Sequence, residues 1–211
     1  MITSDQVRTL AAQQRINDTV IFREYIQLVF LQKLYQKTPS QQIYFKGGTA
    51  IHLIYHAPRF SEDLDFSGFG VSISQIEDWV LAALGEIALN AIGAELQESK
   101  PTSGGYLARL DCQVYDYSIR ILIEISLRRR NGIQGQGALI TPDYLPAYAL
   151  TLLPESALVE EKIAALLTRG KPRDFFDLYF LLRKGLITPA NETQTEDSTR
   201  QARRVEHGFS R

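Results

Sequence analysis

The chain has 211 residues, a hydrophobic fraction of 45% and a formal net charge of −1, which allows one sizeable core and excludes a globally basic nucleic-acid-binding surface, leaving only local patches for such a partner. A single cysteine, Cys112, excludes an internal disulfide and a cysteine-built zinc site, and three histidines, His52, His56 and His207, are too scattered for most structural zinc patterns. The opening MITSDQVRTLAAQQR lacks the apolar core of a signal peptide and no apolar run is long enough to span a bilayer, so the expected location is the cytoplasm, with no membrane partner.

Thr3 with Gln6 has the spacing of a capping box and opens a short helix. Thr19 to Lys37 predicts a long, mostly apolar helix, with Ile21, Tyr25, Leu28, Val29 and Tyr35 at helical spacing, ended by Pro39 and Ser40. Ile43 to Phe45 predicts a short buried strand. Gly47 and Gly48 break it, a helix follows over Thr49 to His56, and Leu64 to Ser67 predicts a second strand. Ser74 with Glu77 predicts a capping box opening a helix to Asn90, closed by Gly93. From Tyr106 to Tyr117 the chain alternates, with Tyr106, Ala108, Leu110, Cys112 and Val114 on one side. From Ile119 to Leu127 five apolar residues share one face, and Arg120, Leu122, Glu124, Ser126 and Arg128 share the other. NGIQGQG, at Asn131 to Gly137, predicts a flexible loop whose glycine order is wrong for a dinucleotide fingerprint. Tyr148 to Leu153 predicts a last strand. Pro154 opens a helix through Thr168 and Pro172 another through Lys184. The tail from Asn191 is polar and mixed in charge and is expected to fray.

The stretch KGGTAIHLIYHAPRFSEDLDFSG, Lys46 to Gly68, sets a glycine pair close to a carboxylate pair. Residues i and i+2 of a strand share a face, so Asp63 and Asp65 present two carboxylates together. Two like charges at that distance call for a cation, and Mg²⁺, a hard ion that takes carboxylates with phosphates, is the natural one. A glycine pair at a strand-to-helix turn lets backbone N–H groups approach a phosphate. The helix N-terminus adds positive potential and Thr49 a hydroxyl. A phosphate seat beside a divalent-metal seat is the pattern of a nucleotide site. Each half also has a plainer reading, a tight turn for the glycines and a solvated strand end for the aspartates.

The blocks "GGTA", "RFSEDLDF" and "EEKIAALLTRGKPRDFFDLYFLL", in that order over roughly residues 40 to 185, resemble the AbiEii/AbiGii family of nucleotidyltransferase-like toxins, relatives of the minimal nucleotidyltransferases in the DNA polymerase β superfamily. The resemblance implies an α+β fold, a mixed sheet flanked by helices with a helical C-terminal region completing a cleft. It implies Mg²⁺-dependent transfer of a nucleotide from an NTP, in some members to the 3′ end of tRNA, and a toxin restrained by a cognate antitoxin. The organisation expected is a nucleotidyltransferase-like core with N-terminal helices over 1–153, a helical region over 154–190 and a polar tail over 191–211.

Residue by residue, Gly48 and Thr49, with Gly47, match the family's phosphate-holding turn, and Asp63 and Asp65 its metal carboxylates. In this superfamily a third carboxylate on a nearby strand often completes the site, and Glu124, on the polar face of an isoleucine-rich strand, is the candidate. Its rival reading is a salt bridge to Arg120 or Arg128. Lys162 matches the lysine of "EKIAAL" and is expected to reach the triphosphate. Asp174 matches the aspartate of "RDFFDL" and is expected in the active site, while Asp177 can bind Arg173 or cap a loop.

Arg59 either clamps a phosphate or pairs with Glu62 or Asp63. His52 and His56 have metal-ligand spacing but no third ligand, which favours ordinary surface or core histidines. Cys112 reads as a small core residue. Arg128, Arg129 and Arg130, with Arg169 and Lys171, form either a local RNA-binding patch or a solvated face. Two other activities fit the same pattern: a catalytically silent module that binds an antitoxin or RNA, and a phosphotransferase moving the γ-phosphate.

Overall fold

The computed structural model describes residues 1–37, 42–89, 92–129 and 133–186; the expectations for Pro39, Ser40, Asn90, Arg130 and the tail from Asn191 lie outside them. Two compact units divide at Leu153/Pro154.

The first unit is built on one seven-stranded mixed sheet. In chain order its elements are α1 (Ser4–Gln14), α2 (Asp18–Lys37), β1 (Ile43–Lys46), α3 (Gly47–Tyr55), β2 (Leu64–Phe69), α4 (Ile73–Ala88), β3 (Gly93–Thr102), β4 (Gly105–Val114), β5 (Tyr117–Arg128), β6 (Gln136–Ile140) and β7 (Tyr148–Leu152). The spatial order is β3-β4-β5-β2-β1-β7-β6. β2 runs parallel to β5 and antiparallel to β1, and β1 runs parallel to β7. The alternation read from the sequence of β4 and β5 is the core itself: Tyr106, Ala108, Leu110, Cys112, Val114, Ile119, Ile121, Ile123 and Ile125 are all buried. Leu127, at the end of that stripe, is exposed. The apolar helix α2 is buried along most of its length, from Ile21 to Leu34, as befits a helix apolar nearly all round. Capping of α1 by Thr3 and Gln6 is reciprocal, as expected.

Three readings need correction. The capping box of α4 is formed by Ser72 and Gln75, not by Ser74 and Glu77. The helix starts two residues earlier than expected, and Ile76, Val80, Ala83, Leu84 and Ile87 form its buried face. Gly93 does not close α4 but opens β3, a strand the sequence hides because GAELQESKPT has almost no apolar face. It is an edge strand, and its glutamates, lysine and proline are the residues that keep an edge from pairing further. Likewise the expected loop up to Gly137 gives way at Gln136 to β6, the other edge.

The second unit holds α5 (Glu155–Arg169) and α6 (Pro172–Arg183), joined by the left-handed Gly170. Among the described residues no helix is long and apolar enough to cross a membrane.

Candidate active site

The glycine pair does not interrupt the chain between β1 and a later helix; it is the first turn of α3 itself, with Lys46 as N-cap. Gly47 has φ +82°, a backbone angle that L side chains rarely adopt. A Cβ there would meet the Asp65 carboxylate and fall 2.7 Å from the Cβ of Asp65. A Cβ on Gly48 would lie 2.6 Å from Arg59 Nη2 and 2.9 Å from Ser61 Oγ. Two adjacent glycines thus make room for the two ends of the SEDLD segment: Gly47 receives the carboxylate of Asp65, and Gly48 the side chains of Arg59 and Ser61. That is why the glycine and carboxylate pairs sit so close in sequence.

Asp65 lies in β2, while Asp63 sits just ahead of the strand. In the β1–β2 ladder Asp65 faces Lys46, and in the β2–β5 ladder it faces Glu124. Directly paired residues project to one side of a sheet, so Lys46, Asp65 and Glu124 form a row across three neighbouring strands. Leu64 and Phe66, on the opposite side of β2, are fully buried. The register therefore brings Glu124 beside Asp65. Arg120, one of its suggested salt-bridge partners, instead forks onto Asp111 at 2.8 and 3.2 Å. Lys46, 6% exposed, has no role in the reading from sequence. Its only signal is its place before the glycines, and the strand register that sets it opposite Asp65 is not visible locally.

The segment from Ala57 to Asp63 is held carbonyl by carbonyl. His52 Nδ1 lies 2.6 Å from the Ala57 oxygen, and Gln27 Nε2 donates to the oxygens of Ser61 (3.1 Å) and Glu62 (2.9 Å). The Thr49 hydroxyl donates to the Asp63 oxygen. Thr49 is 1% exposed, so its hydroxyl serves to anchor the carboxylate loop to α3. Arg23 pairs with Glu62 at 3.1 Å, which gives Glu62 a partner other than Arg59. Gln27, one of two buried amides on α2 with Gln32, is a positioning residue that the reading from sequence passes over; a polar residue among apolar ones on a helix that must be buried is the available signal. Around the α3 N-terminus the first-turn N–H groups add positive potential beside the Asp65 carboxylate.

The site's expected residues in the second unit are each engaged within it. Lys162 Nζ donates to Asp177 Oδ2 at 2.8 Å, and both residues are buried. Asp174, fully buried, accepts from Arg169 Nε and Nη2 at 2.9 and 2.7 Å and from the Lys171 amide at 3.2 Å, so it also caps the start of α6. The Arg169 guanidinium holds the Asp174 carboxyl below the ordinary carboxylate range. Arg169 is thus neutralised and adds little to a basic patch. His52 and His56 do not act as a ligand pair: His52 pairs with Glu24, and His56 is the left-handed C-cap of α3. Cys112 is a core residue, 2% exposed.

Among the described residues no group of three or more His, Cys, Asp or Glu is gathered closely enough to hold a metal ion on its own. Mg²⁺ does not demand such a cage. It commonly binds one or two carboxylates with substrate phosphates and waters, and Asp65 and Glu124, opposite each other in the β2–β5 ladder, are hard-oxygen donors of the kind it takes.

Residues 29–208 match the family model described as nucleotidyl transferase AbiEii toxin, type IV toxin–antitoxin system. None of the curated proteins matches significantly. Among solved structures the chain resembles MenT4, a nucleotidyltransferase toxin from Mycobacterium tuberculosis, with a TM-score of 0.65 and 20% identity over 84% of this chain and 63% of that one. It also resembles JHP933 from Helicobacter pylori, with a TM-score of 0.59 and 20% identity over 90% of this chain and 78% of that one. At this identity the likeness is one of fold, and the chain spans less than two thirds of the length of MenT4.

Proposed function

Because the chain belongs to the AbiEii family of nucleotidyl transferase toxins, we propose that it transfers a nucleotide from an NTP to an acceptor in a Mg²⁺-dependent reaction, that the acceptor is the 3′ end of a tRNA, and that a cognate antitoxin protein restrains it. The observation that carries the reading is the pairing of Asp65 with Glu124 on two central strands, with the Asp65 carboxylate packed over Gly47 at the mouth of α3.

In this reading Asp63, Asp65 and Glu124 hold the metal. When bound, Mg²⁺ draws negative charge off the triphosphate and lowers the pKa of an attacking hydroxyl. The backbone of Gly47 and Gly48 lies in the first turn of α3, whose N–H groups favour phosphate. Arg59, brought against Gly48, supplies a planar cation suited to phosphate oxygens. Thr49 acts through the Asp63 carbonyl, fixing the loop on which the first carboxylate is delivered. The carbonyl anchors from α2 and α3 preset the carboxylates, so less ordering remains for the moment of reaction. From the family match we carry Lys162 as a triphosphate ligand, oriented by Asp177, and Asp174 as a site residue acting through the guanidinium it holds.

An RNA pool incubated with Mg²⁺ and NTP labelled in turn at the α- and γ-phosphate tests the proposal. Label entering RNA from the α-position only, lost with chelator and in Asp65→Asn and Asp63→Asn, is the expected result. Transfer from the γ-position only would make the chain a phosphotransferase. A wild-type protein without Mg²⁺-dependent NTP binding would make it an interaction module on the same fold. The ligand-free melting temperature of each variant is the control: a large drop would make that aspartate structural and not part of the site.

A further inference from the structure

The segment 57–62 is pinned at its start by a histidine that the nucleotidyl-transfer reading does not use. We infer that His52 is a positioning residue for the carboxylate loop: set between Glu24 of α2 and the carbonyl of Ala57, and packed on the ring of Phe60, it fixes the chain that brings Arg59 and Ser61 over Gly48 and leads into Asp63. The inference rests on the reading of Asp63 and Asp65 as the metal site only for its link to activity; the positioning itself is geometric.

Two acceptors flank the imidazole. Nδ1 lies 2.6 Å from the Ala57 oxygen, which can only accept, and Nε2 lies 2.7 Å from Glu24 Oε2. Glu24 is itself fixed, because Tyr144, on the segment between β6 and β7, donates its hydroxyl to Oε1 at 3.1 Å. With an ionised Glu24, both ring nitrogens must donate, so the ring carries two protons and a positive charge. The Phe60 ring lies 4.4 Å from the imidazole, centroid to centroid, which adds a contact two residues past Pro58. His52 thus joins α2, α3 and the loop at one side chain, and through Glu24 the β6–β7 connection, along the wall of a cavity of about 730 Å³ lined by residues from all four.

The charged groups around it explain the balance. Burial opposes the charged ring, and so does the positive charge of Arg59 in the loop. The hydrogen bond to Glu24, the Ala57 carbonyl and the Glu24 charge outweigh them and raise the pKa above the ordinary histidine value. From the other elements, Asp143 and the hydroxyl of Tyr144, whose own ionisation is pushed far up, face the same cavity, as does His56 at the end of α3. A raised folded pKa means that the anchor is complete below the unfolded value near 6.5 and is lost as pH rises through the folded value. Once the ring holds one proton, it can donate to Ala57 or to Glu24, but not to both.

Two variants of the full chain separate this from a packing role. His52→Ala removes the anchor at every pH. Glu24→Gln keeps it and removes its pH dependence, since a neutral imidazole with its proton on Nδ1 still donates to Ala57 while Nε2 accepts from the introduced side-chain amide, and Tyr144 still has an oxygen to bond. Amide hydrogen exchange over residues 57–63, corrected for intrinsic rates, is the readout, alongside the Mg²⁺-dependent NTP-binding midpoint. The expected result is exchange about tenfold faster in His52→Ala at pH 6, wild type approaching that rate as pH rises through the histidine titration, and Glu24→Gln slow throughout. Binding midpoints should follow the same order. Wild-type protection of the loop in a folded His52→Ala overturns the inference. So does a Glu24→Gln loop as labile as that of His52→Ala, which would mean that bulk and charge, not the Ala57 bond, hold the segment. If the loop responds as expected but wild type binds no NTP, the positioning role stands and the nucleotidyl-transfer reading fails.

Discussion

The same change, glycine to alanine, should do opposite things at two neighbouring positions. Gly47→Ala forces a Cβ into a left-handed backbone at φ +82°, which costs about 1–2 kcal/mol. The new methyl also falls 2.7 Å from the Cβ of Asp65, an atom fixed by the backbone of β2, so the strand itself must shift. Overpacking of that kind costs about 1–3 kcal/mol, for a total near 3 kcal/mol. At Gly48 the helix gains from alanine by up to about 1 kcal/mol. The obstructing atoms there are the tips of Arg59 and Ser61, which can swing aside cheaply. Gly48→Ala should therefore unfold in urea within about 1 kcal/mol of wild type, while nucleotide affinity drops about tenfold because Arg59 has left its place. Urea midpoints at unchanged slope give the first quantity, and a nucleotide titration gives the second. The reasoning fails if Gly47→Ala is within about 0.5 kcal/mol of wild type, or if Gly48→Ala is destabilised as much as Gly47→Ala.

Thr49→Val should lose about 1–3 kcal/mol of stability, since it leaves the Asp63 carbonyl short of a buried donor, and should also weaken Mg²⁺-dependent binding; a wild-type urea midpoint would contradict the anchoring role. Lys162→Met should destabilise by removing the cation that pairs with the buried Asp177 charge, and the double change Lys162→Met with Asp177→Leu should recover part of the loss in thermal melts. Burial pushes the Cys112 thiol up to about 11, so native protein should resist iodoacetamide at pH 8 until denatured. Because the native state holds that proton more tightly than the unfolded chain, this thiol should lower stability as pH rises from about 9 to 11 and not below; rapid alkylation of folded protein would show the thiol to be accessible.

What can be read from the sequence is what depends on local period. The helix α2 and the alternating faces of β4 and β5 bury a strong apolar pattern, whereas the helices opened by Pro154 and Pro172 are legible from their prolines and bury few apolar residues, Leu158, Val159 and Leu181. The edge strands β3 and β6 escape because an edge needs only half a face and is protected by the polar residues that make it look like a loop. At the candidate site, the spacing argument for Asp63 and Asp65 assumes one strand for both, whereas β2 starts at Leu64 and holds only Asp65; the polar side of the Glu124 strand is legible from its alternation. The reason for the glycine pair is only half legible. A phosphate seat is the expectation, whereas the structure fills the space over Gly47 and Gly48 with Asp65, Arg59 and Ser61. Thr49 is expected to turn its hydroxyl to a phosphate and instead donates it to the Asp63 carbonyl, since a partner fourteen residues on leaves no local trace. The pairing of Lys162 with Asp177 is hidden for another reason: i to i+15 is no helical spacing, and only the turn at Gly170 brings the two helices face to face.

The central position of β1 has a bearing on when the site can exist at all. This four-residue strand hydrogen-bonds β2 on one side and β7 on the other, and the amide of Leu153 closes on the oxygen of Phe45 at 2.9 Å. On a ribosome adding about 5–20 residues each second, β7 follows β1 by roughly 5–20 s. Until it arrives, Lys46 and the glycine turn hang from a strand with one open edge, and the partner for Asp65 on β5 has itself come late. The part of the candidate site that the first unit supplies thus waits on the finished sheet, and a chain interrupted before Tyr148 carries the whole glycine–aspartate motif without it.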